Sequence, residues 1–429
     1  MTTEQKVIKN KLGLLIIIAT APTVLCLLFP LSAFAAGFAI LQQGTAPMAQ
    51  GNAFAAQADD PSAIFFNPAG INQLKGTQVY LGATAIAPRA EYKDSLGTKT
   101  RTESQLYSPP QFYLTHELMP NLALGLGVFS PFGLGTKWDA GWTGRYLATS
   151  SDLETLNINP VLSWRVSSEL SVAGGANIMR TEADLRRKLN LGTLGLPDGD
   201  RLFKGADYGY GYNLGLIYQL TPATNIGLSY RSEVKVKIDG EAEFSVPAAV
   251  AHLFPSGGAH SRLVFPPSLF AGIAYKGLSP WVFECDLTWT GWSTFEELRV
   301  DLDRPVGAAQ TSVSIQPRNW NDVFAYRFGV NYRWDKATTI RAGYIFDESP
   351  VPDETMDPSI PDADRHIFCL GGDYRLKDFT IGMAYNYILG KKRDKHNTIG
   401  ADVVPGDNRT NGEYQQTSHS LAVSISYSF

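Results

Sequence analysis

The chain has 429 residues, with 37 Lys and Arg against 41 Asp and Glu, a formal net charge of −4 and 11% aromatic residues. An acidic balance argues against a phosphate backbone as partner, so no nucleic acid is expected. A mean hydropathy of −0.10 excludes a helical protein of many membrane spans, while 19 Tyr, 22 Phe and 40 Gly suit strands and turns.

Residues 1–35 read as a secretory signal peptide. Lys6, Lys9 and Lys11 precede an apolar stretch from Leu12 to Phe34, and Ala33-Phe34-Ala35 is a small-x-small cleavage pattern. The stretch is long enough for an anchor helix, but Pro22 and Pro30 interrupt it. Cys26 lacks the small residues a lipoprotein site needs before it, since Thr23-Val24-Leu25 precede it. Removing the signal takes away three Lys and one Glu, leaving 34 basic and 40 acidic residues. Cys285 and Cys369 remain, too few and too far apart to form a disulfide framework.

Residues 36–76 lack sustained alternation. They hold Gly44, Gly51, Asp59-Asp60-Pro61 and Asn67-Pro68-Ala69-Gly70. Asn67 and Pro68 are expected to fix a turn.

From residue 77 onward, period-2 alternation recurs segment after segment. Leu122, Leu124, Leu126 and Val128 alternate with Ala123, Gly125 and Gly127. Trp281, Phe283, Cys285, Leu287 and Trp289 alternate with Glu284, Asp286 and Thr288. The last segment sets Leu421, Val423, Ile425, Tyr427 and Phe429 against Ser420, Ala422, Ser424, Ser426 and Ser428. About fourteen such segments are expected, near 77–87, 107–116, 121–130, 153–165, 170–180, 207–219, 224–236, 263–275, 280–290, 322–333, 338–346, 365–375, 378–388 and 418–429. Most span about 9–13 residues, the length of a tilted strand crossing a bilayer. The gaps alternate between short turns, such as Pro120-Asn121 and Lys377-Asp378, and long loops. This is the pattern of an outer-membrane β-barrel, all-β with about 14 antiparallel strands over residues 77–429. So wide a lumen is not filled by its own side chains, so residues 36–76 are expected inside as a plug. Glu284, Asp286, Arg231, Arg327 and Arg341, facing the lumen by parity, are expected to pair with one another or with the plug.

In this order along the chain stand Ala36-Gly37-Phe38, Gly51-Asn52-Ala53-Phe54-Ala55 and a run from Asp59 through Asn67-Pro68-Ala69-Gly70. Pro131-Phe132-Gly133-Leu134-Gly135-Thr136, Trp142-Thr143-Gly144-Arg145-Tyr146 and Leu153–Pro160 follow. Trp289-Thr290-Gly291-Trp292-Ser293, Asp347-Glu348-Ser349-Pro350-Val351-Pro352 and Ile360–Arg365 complete the series. Together these motifs resemble the FadL/TodX family of outer-membrane transporters for long-chain fatty acids and hydrocarbons, over essentially the whole mature chain. The resemblance implies a 14-stranded barrel plugged by an N-terminal hatch. It also implies capture of a hydrophobic molecule between extracellular loops, transfer to an internal pocket, and exit by diffusion through a gap in the wall. Gating by Asn67, Pro68 and Ala69 comes with it. Phe429 resembles the terminal signature of substrates of the barrel-assembly machinery.

Site residues follow from chemistry and resemblance together. A fatty acid needs a cation for its carboxylate, and the Arg fork suits it. Within Arg186-Arg187-Lys188, Arg187 falls where fatty-acid members of the family carry a carboxylate-binding Arg. The alternative for this cluster is a solvated loop charge or a lipopolysaccharide contact in the surrounding outer-membrane lipid. Those members also carry a Lys where Trp320-Asn321-Asp322 has Asn321, which favours neutral hydrocarbons or an acid held differently, with Arg318 a candidate to compensate. Apolar loop residues including Leu189, Leu191, Phe244 and Val246 suggest a capture groove; the alternative is loops packed on one another. Gly125 and Gly127 either kink the third strand or make room for the plug. No catalytic or metal-binding constellation is evident and no cofactor is expected. The rivals to passive uptake are a polar-solute porin, an adhesin or structural barrel, and a lipase.

Overall fold

The computed structural model describes residues 37–400 and 410–429; the signal peptide read over 1–35 lies outside them. Fourteen strands form the wall: β1 (Thr77–Lys93), β2 (Pro110–Met119), β3 (Leu122–Phe129), β4 (Ser150–Arg165), β5 (Leu170–Leu189), β6 (Gly199–Thr221), β7 (Thr224–Arg231), β8 (Ser268–Leu278), β9 (Trp281–Thr290), β10 (Val323–Arg333), β11 (Thr338–Asp347), β12 (Arg365–Leu376), β13 (Phe379–Gly390) and β14 (Gly412–Ser428). Each pairs antiparallel with the next in the chain, and β14 closes on β1 from Gln78↔Ser428 to Lys93↔Glu413. Among the described residues no helix is long and apolar enough to cross a membrane.

The expected parity holds. On β9, Trp281, Phe283, Cys285 and Leu287 are exposed on the outer face, while Glu284, Asp286 and Thr288 are buried toward the lumen. Cys285 faces outward, Cys369 is buried, and both are free.

The segments expected as long loops contain strands of their own. β5 and β6 run to 20 and 23 residues, well past the length that crosses a bilayer. Thr181, Ala183, Leu185 and Arg187 extend the alternation of β5 and keep its ladder with β6 intact to Leu189↔Gly199. A sheet built from Val234–Ser245, Gly257–Phe265, Glu297–Val306 and Thr311–Pro317 continues from β6. It raises one side of the extracellular rim into a vestibule. Its hinge points are Ser232-Glu233 after β7 and Pro266-Pro267 before β8, where Pro cannot donate to the ladder.

Residues 37–76 pack inside the barrel. They hold α1 (Thr45–Ala49), α2 (Ala63–Phe66) and a 3-10 turn over Pro68–Gln73. Met48, Phe54, Ile64 and Phe66 are wholly buried. Gly125 and Gly127 do not kink β3, whose pairing with β2 and β4 is unbroken through both. They are small because Ile64 occupies the space a Cβ would need, at 2.9 Å from either position. Elsewhere the segment's backbone touches the wall directly. A Cβ on Gly227 would lie 1.9 Å from the Ala55 carbonyl oxygen, and one on Gly343 would lie 2.2 Å from the Gly51 nitrogen.

Gly227→Val therefore cannot coexist with the seated segment. Relief of such overpacking costs about 1–3 kcal/mol, and displacing residues 55–56 is the cheapest route. The variant should still form a barrel, seen as a heat-dependent shift in electrophoretic mobility, but admit large polar antibiotics that the wild type excludes. Unchanged antibiotic exclusion would contradict this packing.

Candidate functional site

The contacts that hold residues 37–76 come first, because they decide whether a path exists. Glu284 and Asp286 stand on alternate residues of β9, so both carboxylates reach the lumen side by side. Asp286 Oδ2 accepts from the amides of Phe54 and Ala55 at 2.8 and 2.9 Å. Glu284 Oε1 accepts from those of Ala56 and Gln57 at 2.7 and 3.2 Å. Four consecutive backbone donors are thus held by two carboxyl groups. Asn67 grips the same stretch from the other side: its Nδ2 donates to the carbonyls of Ala55 and Leu216 at 2.7 and 2.9 Å. Its Oδ1 accepts from Ala69 N at 3.2 Å, and Pro68 opens the 3-10 turn. This is the turn expected of Asn67-Pro68-Ala69. Arg231 donates to the Phe65 carbonyl at 3.2 Å and lies over the rings of Phe65 and Phe129.

The wall is interrupted above β3. The strand ends at Phe129, and Pro131, lacking an N–H, cannot continue the ladder. The segment before the barrel fills the break: Ile40 N donates to Pro131 O at 2.8 Å, and Gly133 N donates to Phe38 O at 3.0 Å. The interruption thus falls at Ser130-Pro131, not at the two glycines. Phe38 sits among Phe132, Phe265, Trp292, Phe295 and Trp320, with ring centroids 4.7–6.3 Å away. Beside this break lies a cavity of about 490 Å³. Gly37–Ile40, Ile86, Phe132, Leu134, Leu153 and Ile360 line it from within, and Arg89, Leu156 and Arg180 line it from the outer face. Its size is in the range of small-molecule sites. Asp362 anchors the first described residue, accepting from Gly37 N at 3.2 Å and Ser349 Oγ at 2.9 Å.

The vestibule holds a second, small cavity of about 50 Å³. Arg187 lines it and donates to Ser314 Oγ at 3.5 Å. Facing Arg187 in the β5–β6 register is Arg201, buried and on the lumen side. Sequence reasoning missed Arg201, although its alternation with Phe203 could have revealed it. Leu147, Leu185, Phe203, Leu298 and Val300 supply apolar walls.

Of the other expected site residues, only Arg186 borders this cavity. Arg186 has the opposite parity, is exposed, and pairs with Asp184 at 2.7 Å. Asn321 is exposed, with its backbone N–H bonded to Pro350 O at 2.8 Å, and does not line the Arg187 cavity. Arg318 cannot compensate for it, because it forms a buried ion pair with Asp357 and donates to Ser359 Oγ at 3.0 Å. Leu191 is buried, and it and Val246 both lie against Gly199; Phe244 meets the Phe254 ring at 5.9 Å. Leu189 is half-buried at the end of β5. These loops pack on one another, so the open groove expected from their apolar residues is largely closed. Among the described residues no group of three His, Cys, Asp or Glu is placed to hold a metal ion.

A closed, apolar-walled barrel whose lumen is filled by its own N-terminal segment is an outer-membrane protein of the plugged-channel class. The chain belongs to the family of outer membrane transport proteins (OMPP1/FadL/TodX), whose model matches residues 26–429. It is 25% identical to a long-chain fatty acid transport protein of Escherichia coli O6:H1, over 91% of this chain and 93% of that one. Two solved structures share the fold. A FadL homologue of Pseudomonas aeruginosa gives a TM-score of 0.80 at 21% identity, covering 92% of this chain and all of that one. The toluene transporter TodX of Pseudomonas putida gives 0.70 at 20% identity, covering 86% and 94%.

Two outcomes follow. Asp286→Ala orphans the amides of Phe54 and Ala55, at about 1–3 kcal/mol per buried donor. Urea unfolding in lipid vesicles should detect that loss, together with increased leakage of polar solutes. Burial pushes Asp362 up to about 6 from its usual 3.8. The folded state therefore favours the protonated acid, so its contribution is complete below about pH 4 and is lost as pH rises through about 6. Asp362→Asn should gain stability relative to wild type between pH 4 and 7, by at most about 3 kcal/mol. Parallel pH profiles for the two proteins would exclude this.

Proposed function

We propose that the protein carries hydrophobic small molecules passively across the outer membrane, with long-chain fatty acids as principal cargo and residues 36–76 acting as its hatch. The observation that carries this reading is the cavity at the Ser130-Pro131 break, which reaches both the interior and the outer face of the wall. A hydrophobic molecule leaving there passes laterally into lipid without crossing a polar pore. Because Phe38–Ile40 occupy the break, movement of the N-terminal segment is what opens the path. Asn67, Pro68 and Ala69 serve as the pivot that returns the hatch to its seat, with Gly125 and Gly127 leaving room for Ile64. No energy source is needed. The E. coli relative's name supports fatty acids as the cargo, and the cations of the vestibule suit them.

A second reading, transport of aromatic or aliphatic hydrocarbons, is favoured by Asn321, which removes a cation from the position where fatty-acid members carry Lys. We also propose lipopolysaccharide and outer-membrane lipid as the surroundings of the exposed wall. Phe429, 73% exposed at the end of β14, serves as the mark read by the barrel-assembly machinery.

Uptake of radiolabelled oleate and toluene into vesicles or cells bearing the wild type or Arg187→Ala tests this. Oleate should cross faster than in membranes lacking the protein. The variant should weaken oleate binding by about 1.5–3 kcal/mol, the size of a hydrogen bond to a charged group. Passage of toluene alone would establish the hydrocarbon reading. Passage of neither would leave the adhesin or structural-barrel alternative.

A further inference from the structure

We infer that Arg201 is the residue that selects an anionic head group, a carboxylate on an apolar tail, in the vestibule cavity it shares with Arg187. The inference rests on the uptake reading above and names the charge that takes over where Asn321 supplies none.

The argument begins with cost. Arg201 is 9% exposed, and among the described residues it makes no hydrogen bond and no ion pair. A buried charge without a partner is expensive. Its cross-strand neighbour is another guanidinium, Arg187, and like charges directly opposite destabilise a sheet. Other buried arginines of this chain are treated differently. Arg318 is matched by Asp357 and Arg365 by Asp347, while Arg231 is held by the Phe65 carbonyl and Asn177. Arg201 alone of these lines a cavity without an internal partner.

The cavity says what the missing partner is. Leu185, Phe203, Leu298 and Val300 make its walls apolar, and the Ser314 hydroxyl, which accepts from Arg187, keeps its own proton to donate. About 50 Å³ takes a head group and not a chain. A carboxylate accepts the planar Arg fork through both oxygens, and its tail is compatible with the apolar side chains around it. A neutral hydrocarbon satisfies the walls but leaves Arg201 unpaired. A free phosphate satisfies the charge but wastes the walls. Asn321 is exposed and does not line this cavity, so the second cation of the site comes from β6.

The test is equilibrium binding of oleate and of its uncharged methyl ester to the purified full-length mature barrel in a non-ionic detergent. The variants are Arg201→Gln, Arg201→Lys and, as a control exposed on the vestibule sheet away from the cavity, Arg262→Gln. Arg201→Gln should weaken oleate roughly tenfold or more, the loss of a charge-assisted bond, with methyl oleate unchanged. Arg201→Lys should restore part of the oleate affinity, and Arg262→Gln should alter neither ligand. Methyl oleate binding and the heat-dependent mobility shift show that each variant is folded. If Arg201→Gln keeps full oleate affinity, or loses both ligands equally, Arg201 is structural and the inference falls while the uptake reading stands. If the wild type binds neither ligand, the uptake reading falls with it.

Discussion

Lipid offers no hydrogen-bond partner to a peptide group, and that constraint organises the whole molecule. Every strand must be paired on both edges, so the sheet closes where β14 meets β1 over sixteen residue pairs. Closure at fourteen strands leaves a lumen too wide for side chains to fill, so something else must occupy it. The chain uses its own N-terminal segment, whose Phe54, Ile64 and Phe66 are wholly buried there and whose backbone also comes directly against the wall. That is why glycines at 227 and 343 face it and why its amides, not its side chains, are what Glu284 and Asp286 hold.

Filling the lumen in this way creates the one place where the constraint is relaxed. Pro131 ends the β3 ladder, and the exposed edge is covered by Phe38–Ile40, which belong to the same segment. The plug and the hole in the wall are therefore physically coupled: the residues that seal the break are continuous with those latched to β9. Only residues 41–53, with α1 as their regular element, separate the seal from the latch. The buried aromatic cluster around Phe38 sets how firmly the seal is seated, since a ring surrounded by five others loses contact on every side when it moves.

Above the bilayer the same logic of paired edges produces the vestibule. β5 and β6 do not stop at the membrane surface; they continue, recruit the sheet that follows Val234, and bring Ser314 within reach of Arg187. The loops are thus rigid by ladder rather than by packing alone. This is why Leu191, Val246 and Phe244 lie against neighbours and do not line an open slot.

The sequence by itself determined the wall. Alternation, the short turns and the parity of Glu284 and Asp286 against Cys285 are local properties, because the side-chain period of a strand is two whatever it pairs with. The fourteen segments were legible for that reason, the plug followed from the width of so large a lumen, and the turn from the chemistry of Asn67-Pro68. Tertiary structure decided what no local pattern encodes. Arg186 and Arg187 are neighbours in sequence, yet one faces out to Asp184 and the other faces in, a distinction that required β5 to continue past its expected end. Asn321 and Arg187 were joined by analogy and are separated in space. Arg201, read only as part of a loop, comes opposite Arg187 because two long strands keep their register for twenty residues. Which cations share a cavity is set by that register and by the sheet folded over it, and neither can be read from spacing along the chain.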